Sequence, residues 1–167
     1  MAIKQITVLL AEDHAQFRKS LKLLAEFDGD IEVVAEARNG LEAVKLVKSL
    51  RPAVVIMDIA MPLMNGLQAT QQIMAAAPAT RVLILSAHPD PEYILQTILF
   101  GASGYLIKQS STQYLAQAVR EVLKGNTYFS TSIPRPLRDE CQVLFGKGEL
   151  LKKRAGRSPL RGRALNN

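Results

Sequence analysis

Five short apolar runs recur along the chain, separated by segments in which apolar and polar residues mix. Most of the runs are rich in Val, Ile and Leu and do not alternate with polar residues, which is typical of parallel strands buried on both faces. They occupy residues 6–10, 31–37, 52–57, 81–85 and 104–107. Between them, apolar residues recur at helical spacing, as at Phe17, Leu21 and Leu24, which predicts amphipathic helices. The order βαβαβαβαβα favours a parallel sheet covered by helices on both faces.

Capping signals mark the ends of several predicted helices. Asn39 followed by Glu42 indicates one helix start, and Asp90-Pro91-Glu92 indicates another with Pro at its first position. Ser111 is predicted to cap the last helix of the sheet region, and Gly125 lies just past its end. These signals divide the chain at the same places as the periodicity does.

Four of the five predicted strands end in polar or charged residues. Glu12 and Asp13 follow the first strand, Asp58 the third, Ser86 the fourth and Lys108 the fifth. In open α/β sheets, sites form beyond the carboxyl ends of the strands, near the point where strand order reverses. We therefore expect these side chains to converge, although they are far apart in sequence.

The predicted cluster has the groups that phosphoryl transfer to an aspartate requires. Three carboxylates in one crevice repel each other unless a divalent cation lies among them, and hard oxygen ligands suit Mg²⁺. Lys108 adds an ammonium group and Ser86 a hydroxyl group. Asp58 is the predicted nucleophile, because it ends a fully apolar strand and precedes a loop with Pro and Asn-Gly.

Composition and charge limit where this chemistry takes place. The single cysteine, Cys141, excludes an intramolecular disulfide framework, and neither a signal peptide nor a membrane span is evident. We therefore predict a cytoplasmic protein without membrane contact. Residues 1–130 carry 12 basic and 12 acidic residues, whereas residues 131–167 carry 9 and 3. The whole positive excess lies in the tail, which is either a solvated linker or a weak nucleic-acid contact.

The strand-end residues resemble those of receiver domains in two-component response regulators. The resemblance covers about residues 5–125 and rests on residues 8–14, Asp58 with Met61, Pro62 and Gly66, Ser86 with Ala87, and Tyr105 with Lys108. It implies a flavodoxin-like fold, a doubly wound five-stranded parallel sheet in the order 2-1-3-4-5. It also implies a bacterial signalling protein that receives a phosphoryl group and is otherwise not an enzyme.

The resemblance assigns the acceptor and the metal ligands. Asp58 would accept the phosphoryl group from a histidine kinase in a Mg²⁺-dependent phosphorelay. Asp13 and Asp58 would hold Mg²⁺ directly, Glu12 would do so through a water molecule, and Ala60 would contribute its backbone carbonyl. Phosphorylation is then expected to change partner contacts, including formation of a homodimer.

The resemblance also assigns the residues that respond to phosphorylation. Ser86 would hydrogen-bond the aspartyl phosphate, Lys108 would pair with it, and Tyr105 would swing inward when Ser86 moves. Gln109 follows Lys108 where many receivers have Pro, so the geometry of the Lys108–Gln109 peptide bond is left open.

The remaining residues, 126–167, are predicted to be a basic linker or tail attached to a receiver domain of residues 1–125. A short helix is predicted at 137–145, because Gly146 and Gly148 interrupt the pattern, and the remainder is predicted to be flexible. The segment resembles the linker of regulators with a LuxR-type helix-turn-helix output domain. No such domain fits in the remaining length, so transcription regulation and specific DNA binding are expected of a full-length form.

Two other classes of protein share the predicted topology. A flavin-binding module needs a phosphate-cradling loop after the first strand, where Glu12 and Asp13 would repel phosphate. An aspartyl-phosphate hydrolase of the haloacid dehalogenase type carries an acid two residues after its nucleophile, where this chain has Ala60. Both alternatives stay open at this point, and the receiver interpretation is preferred.

Overall fold

A six-stranded parallel sheet runs through the computed structural model, which describes residues 4–157 and, at 110, 111 and 152–157, only their backbone. Its strands are β1 (Ile6–Ala11), β2 (Ile31–Ala37), β3 (Val54–Met57), β4 (Arg81–Ser86), β5 (Gly104–Ile107) and β6 (Tyr128–Phe129). They follow the order β2-β1-β3-β4-β5-β6, and each neighbouring pair is parallel. The predicted doubly wound α/β sheet is confirmed, and strand order reverses between β1 and β3.

Helices connect the strands and cover both faces of the sheet. They are α1 (Ala15–Glu26), α2 (Gly40–Leu50), α3 (Gly66–Ala76), α4 (Pro91–Leu99), α5 (Lys108–Ser111), α6 (Leu115–Leu123) and α7 (Arg135–Arg157). The helix predicted to begin at Ser111 instead begins at Lys108 and is divided by a 3₁₀ turn at Thr112–Tyr114. Within residues 4–157, every helix is too short or too polar to cross a bilayer.

Two hydrophobic layers pack against opposite faces of the sheet. Successive side chains of a strand point to opposite faces, so Leu9 and Ala11 of β1 join the layer under α2, α3 and α4, and Val8 and Leu10 join the layer under α1 and α6. All four side chains are buried. Because both faces of β1 are covered, its sequence is mostly apolar and shows no alternation.

The prediction of five strands is wrong, because a sixth strand extends the sheet beyond β5. Tyr128 of β6 pairs with Gly104 of β5, and Phe129 pairs with Tyr105. Phe129 is buried in the layer that α4 covers. Two residues are too few to produce a period in the sequence, and β6 lies where a linker was predicted. Pairing with an existing strand edge, rather than local propensity, makes this segment a strand.

The predicted helix at 137–145 is also wrong in its bounds, since α7 runs without interruption from Arg135 to Arg157. Gly146 and Gly148 lie inside it, where a glycine costs about 1 kcal/mol relative to Ala. This cost is the reason that the sequence indicates a helix end at Gly146. The flexibility predicted for 158–167 falls outside the described residues.

Packing on the sheet accounts for the greater length of α7. Apolar residues of α7 and of the turn before it contact the layer beside α4: Ile133, Leu137, Cys141, Leu144 and Phe145. Beyond the two glycines, Nη1 of Arg81 lies 3.1 Å from Oε1 of Glu149, which joins α7 to β4. Tertiary contacts stabilise most helices in proteins more than intrinsic propensity does, and they do so here. The predicted boundary at residue 125, between a receiver domain and a tail, stays a prediction.

The buried thiol of Cys141 gives a pH prediction for this packing. Burial raises the pKa of Cys141 to about 11 from its ordinary value of 9.0. Because the folded protein holds the thiol proton more tightly than the unfolded chain, this stabilisation is complete below pH 9 and is lost as pH rises towards 11. We expect the free energy of unfolding of the wild-type protein to fall on the order of 2 kcal/mol more than that of Cys141→Ala across this window. Urea denaturation at several pH values measures both slopes, and equal slopes would contradict the prediction.

Candidate functional site

The carboxyl ends of β1, β3 and β5 bring three of the predicted site residues into contact. Nζ of Lys108 lies 2.9 Å from Oε1 of Glu12 and 3.3 Å from Oδ2 of Asp58. Glu12 and Asp58 are buried, and the Lys108 side chain is 17% exposed. One ammonium group thus lies between two carboxylates that come from positions 46 residues apart along the chain. The structure brings these residues together, and their roles stay predictions.

Backbone contacts fix the position of Asp58. Its N–H donates to the carbonyl of Ala11 at 3.0 Å, which continues the ladder between β1 and β3. After the loop, the N–H of Gly66 donates to the carbonyl of Ile59 at 2.8 Å. A Cβ atom on Gly66 would lie 2.1 Å from the carbonyl oxygen of Asp58. The first turn of α3 can therefore approach Asp58 this closely only because residue 66 is glycine.

The start of α3 is held by a reciprocal cap. The Asn65 side chain accepts from the N–H of Gln68 at 2.9 Å, and the Gln68 side chain accepts from the N–H of Asn65 at 3.3 Å. This capping box was absent from the sequence interpretation. An Asn followed three residues later by Gln is a local signal that could have revealed it.

Two buried carboxylate oxygens at the site make no hydrogen bond within the described part of the chain. Oε2 of Glu12 and Oδ1 of Asp13 are shielded from solvent and make no hydrogen bond there. Burying such atoms unpaired costs free energy, and carboxylate oxygens are the ligands that Mg²⁺ prefers. The donor set therefore fits a divalent cation of this type. Ala60, whose carbonyl is the other predicted ligand, is exposed in the loop that follows Asp58.

His14 lies beside these oxygens and was assigned no chemistry from the sequence. Its Nδ1 atom lies 3.3 Å from Oδ1 of Asp13 and 3.6 Å from Oε1 of Glu12. One potential ligand atom from each of the three residues falls within 4.8 Å of the others. Adjacency to the acidic pair was the only sequence signal, since a His without ligand spacing is usually unrelated to metal binding.

Burial shifts the protonation of Glu12. Burial and the hydrogen bond with Asp58 raise the pKa of Glu12, and Lys108 opposes this shift. Two carboxylates this close cannot both ionise without compensation. The single ammonium group of Lys108 does not balance the carboxylates of this pocket, which is consistent with the fit to a divalent cation.

Lys108 has a second contact that the sequence did not reveal. Its Nζ lies 4.8 Å from the centre of the Phe17 ring of α1, a distance at which a cation and an aromatic face attract each other. Phe17 was predicted only as part of the apolar face of its helix. Residues 4–157 contain no cis peptide bond, so Lys108–Gln109 is trans.

Ser86 and Tyr105 meet at the loop that follows β4. The N–H of His88 donates to Oγ of Ser86 at 3.1 Å, and the Tyr105 hydroxyl donates to the carbonyl of His88. Burial raises the pKa of Tyr105, and a hydrogen bond with Ser86 opposes this. The Tyr105 ring is 0% exposed, so it already has an inward position. Its predicted swing stays a prediction.

The fold and the site agree with a match to a known family. A family model described as the response regulator receiver domain matches residues 8–120. The matched range begins in β1 and ends within α6, so it includes every residue of the predicted site. It excludes β6 and α7.

Curated relatives include regulators from two bacterial genera. Transcriptional regulatory protein DegU of Brevibacillus brevis is 35% identical over 145 residues, which are 87% of this chain and 61% of the relative. Oxygen regulatory protein NreC of Staphylococcus haemolyticus is 39% identical over 134 residues, which are 80% of this chain and 62% of the relative. The chain thus spans about three fifths of the length of these relatives.

Solved structures of receiver proteins share the fold. The signal receiver domain of the putative response regulator NarL from Mycobacterium tuberculosis is 33% identical, with a TM-score of 0.71 over 74% of this chain and 99% of that chain. A LuxR-family two-component response regulator from Aurantimonas sp. SI85-9A1 is 32% identical, with a TM-score of 0.77 over 82% of this chain and 98% of that chain.

Proposed function

The chain belongs to the response regulator receiver domain family, and from this membership and the site geometry we propose that Asp58 accepts a phosphoryl group from a histidine kinase. The observation that carries the proposal is the contact of Lys108 with both Glu12 and Asp58, at 2.9 Å and 3.3 Å. It supports a nucleophilic carboxylate and a cation in one pocket. The family match also favours this proposal over the flavin-binding and hydrolase alternatives.

The proposed reaction moves one phosphoryl group between two side chains. A carboxylate oxygen of Asp58 forms a bond to phosphorus while the bond between phosphorus and the imidazole nitrogen of the donor breaks. The electron pair of the broken bond stays on that nitrogen, which takes up a proton from solvent. Lys108, whose Nζ lies 3.3 Å from Oδ2 of Asp58, would pair with a phosphoryl oxygen through its ammonium group. The product is an aspartyl phosphate with added negative charge.

The same pocket is proposed to hold Mg²⁺. Asp13 and Asp58 would bind it directly, Glu12 through a water molecule and Ala60 through its carbonyl. The two buried oxygens of Glu12 and Asp13 that make no hydrogen bond support this assignment. When bound, Mg²⁺ supplies positive charge that neutralises the phosphoryl oxygens. The chain's own residues orient the acceptor and exclude bulk water, since Glu12 and Asp58 are buried.

Signal output is proposed from the relatives rather than from the site. Because the chain is similar to transcription regulators of two-component systems, we propose that phosphorylation acts on transcription in a full-length form, in the cytoplasm, through altered partner contacts or a homodimer. In this chain β6 pairs with the edge of β5, and α7 packs on α4. A dimer contact through that edge would have to displace these elements. Nucleic-acid contact through the basic tail is the weaker alternative.

Mass spectrometry tests the proposed acceptor directly. We expect the 167-residue chain, incubated with acetyl phosphate and Mg²⁺, to gain the mass of one phosphoryl group. Reduction of the acyl phosphate with borohydride and peptide mapping should place the modification on Asp58. Omission of Mg²⁺ should prevent labelling. Modification of a histidine or serine, or a chain that stays unlabelled with Mg²⁺, would contradict the proposal.

A further inference from the structure

Ser130, which lies outside the family match, makes two contacts with β5, the strand that ends directly before Lys108. The N–H of Ser130 donates to the carbonyl of Tyr105 at 3.1 Å. Its Oγ accepts from the N–H of Ile107 at 2.8 Å. Ser130 is 3% exposed, so both contacts are shielded from water. They reach β5 at the residue that directly precedes Lys108.

These contacts continue the sheet after β6 ends. Tyr128 and Phe129 pair with Gly104 and Tyr105 in regular parallel register. At the next step, β5 turns into α5, and the side chain of Ser130 accepts the N–H of Ile107. A buried N–H without an acceptor costs roughly 1–3 kcal/mol, so the hydroxyl of Ser130 stabilises the backbone at the end of β5.

The segment that carries Ser130 is itself anchored. The N–H of Ile133 donates to the carbonyl of Ser130 at 3.0 Å, and Ile133 is buried in the layer under α4. Cys141 of α7 is buried in the same layer. The segment that presents the hydroxyl of Ser130 to β5 therefore leads directly into a helix packed on the same layer.

The function of Lys108 is sensitive to where the backbone places it. Its side chain is long, and its Nζ meets Glu12 and Asp58 at 2.9 Å and 3.3 Å. A displacement of about 1 Å in a catalytic group can cost as much as 100-fold in rate. Ile107 directly precedes Lys108, and the hydrogen bond from its N–H to Ser130 holds the backbone there.

We propose that Ser130 is a positioning residue for Lys108, so that the segment following the receiver match completes the phosphoryl-transfer site. Ser130 acts through the N–H of Ile107 and contacts neither donor nor acceptor. The inference rests on the proposed function of Asp58. It adds that acceptance of the phosphoryl group depends on docking of β6 and α7.

Rates of labelling by acetyl phosphate at fixed Mg²⁺ test the proposal on the full chain. We expect Ser130→Ala to lower the rate about 5- to 10-fold and Ser130→Thr, which keeps the hydroxyl, to stay within about twofold of the wild-type rate. If Ser130→Ala does not fold by circular dichroism, Ser130→Cys replaces it with the same expectation, because a thiol is a poor acceptor. A wild-type rate in the Ala or Cys variant would overturn the proposal.

Thr80→Val is the matched control for loss of a buried hydroxyl. Oγ1 of Thr80 donates to the carbonyl of Pro52 at 3.0 Å, and Thr80 is 4% exposed. It lies before β4, at the end of the sheet opposite the site. We expect this variant to lose stability, measured by urea denaturation, and to keep the wild-type labelling rate. If it slowed labelling as much as Ser130→Ala does, the effect would be general destabilisation and the proposal would fail.

A double-mutant comparison separates positioning from other effects. Because Ser130 acts through Lys108, adding Ser130→Ala to Lys108→Ala should change the rate by less than about twofold. Accumulation of label over hours makes the slow Lys108→Ala variant measurable. The same 5- to 10-fold loss in both backgrounds would overturn the proposal. Wild-type chain that is not labelled on Asp58 would instead overturn the proposed function.

Discussion

Asp58→Asn should abolish Mg²⁺-dependent labelling of the chain by acetyl phosphate, with a loss of at least about 10³-fold in rate. The substitution keeps the shape of the side chain but replaces a charged nucleophilic oxygen with a neutral amide. The backbone contact between Asp58 and Ala11 is unaffected by the change, so the fold should persist. The measurement is radiolabel incorporated over time, with circular dichroism as the check on folding.

Asp90→Asn is the control for loss of a carboxylate. Asp90 is exposed, precedes α4, and makes no side-chain cap to that helix. Its replacement should leave the labelling rate within about twofold of the wild-type rate. Labelling of Asp58→Asn at the wild-type rate would show that another residue is the acceptor. Equal loss in both variants would show that labelling depends on overall charge.

Gly66→Ala should lower the free energy of unfolding by about 3 kcal/mol and impair labelling as well. The added Cβ would lie 2.1 Å from the carbonyl oxygen and 2.9 Å from the carbonyl carbon of Asp58. Both neighbouring atoms belong to the backbone, so the overlap cannot be relieved by rotating a side chain. Either the first turn of α3 or the end of β3 must move, and the second displacement moves the acceptor itself.

Gly146→Ala is the matched control, a Gly-to-Ala change at a helix position where the added methyl group has free space. A Cβ there meets no atom within 4 Å, and residue 146 lies inside α7. We expect this variant to gain about 0.5–1 kcal/mol, because Ala has the higher helix propensity. Urea denaturation measures both variants. A Gly66→Ala protein as stable as the wild type would show that the contact with Asp58 is not as close as the structure has it.

Much of the sheet was predictable because local sequence and tertiary environment agree there. Val54–Met57 is buried on both faces, and its uninterrupted apolar run reveals this without a structure. Asp58 follows this strand directly, so one apolar run ending in a carboxylate predicted both the strand and the acceptor. The Asn39 cap is equally local, since its side chain accepts from the N–H of Glu42 at 2.8 Å.

The predictions of secondary structure are wrong where tertiary contacts outweigh the local conformational preference of the sequence. Gly146 and Gly148 would end an isolated helix, yet α7 continues through them because its apolar residues pack on the core. Tyr128 and Phe129 carry no strand period, yet they form β6 because they pair with the edge of β5. Both α7 and β6 are stabilised by contacts between distant parts of the chain, and such contacts cannot be read from a short stretch of sequence.

The sequence by itself determined the succession of the five main strands along the chain and the polar residues at their ends, because hydrophobic periodicity and chain direction are local properties. Only the tertiary structure decided that Lys108 contacts both Glu12 and Asp58, that His14 borders the acidic pair, and that Ser130 holds the end of β5. These contacts join residues from separate strands and loops. Their distances depend on how the strands and helices pack together, and a change of about 1 Å in that packing would alter them while leaving every local sequence pattern intact.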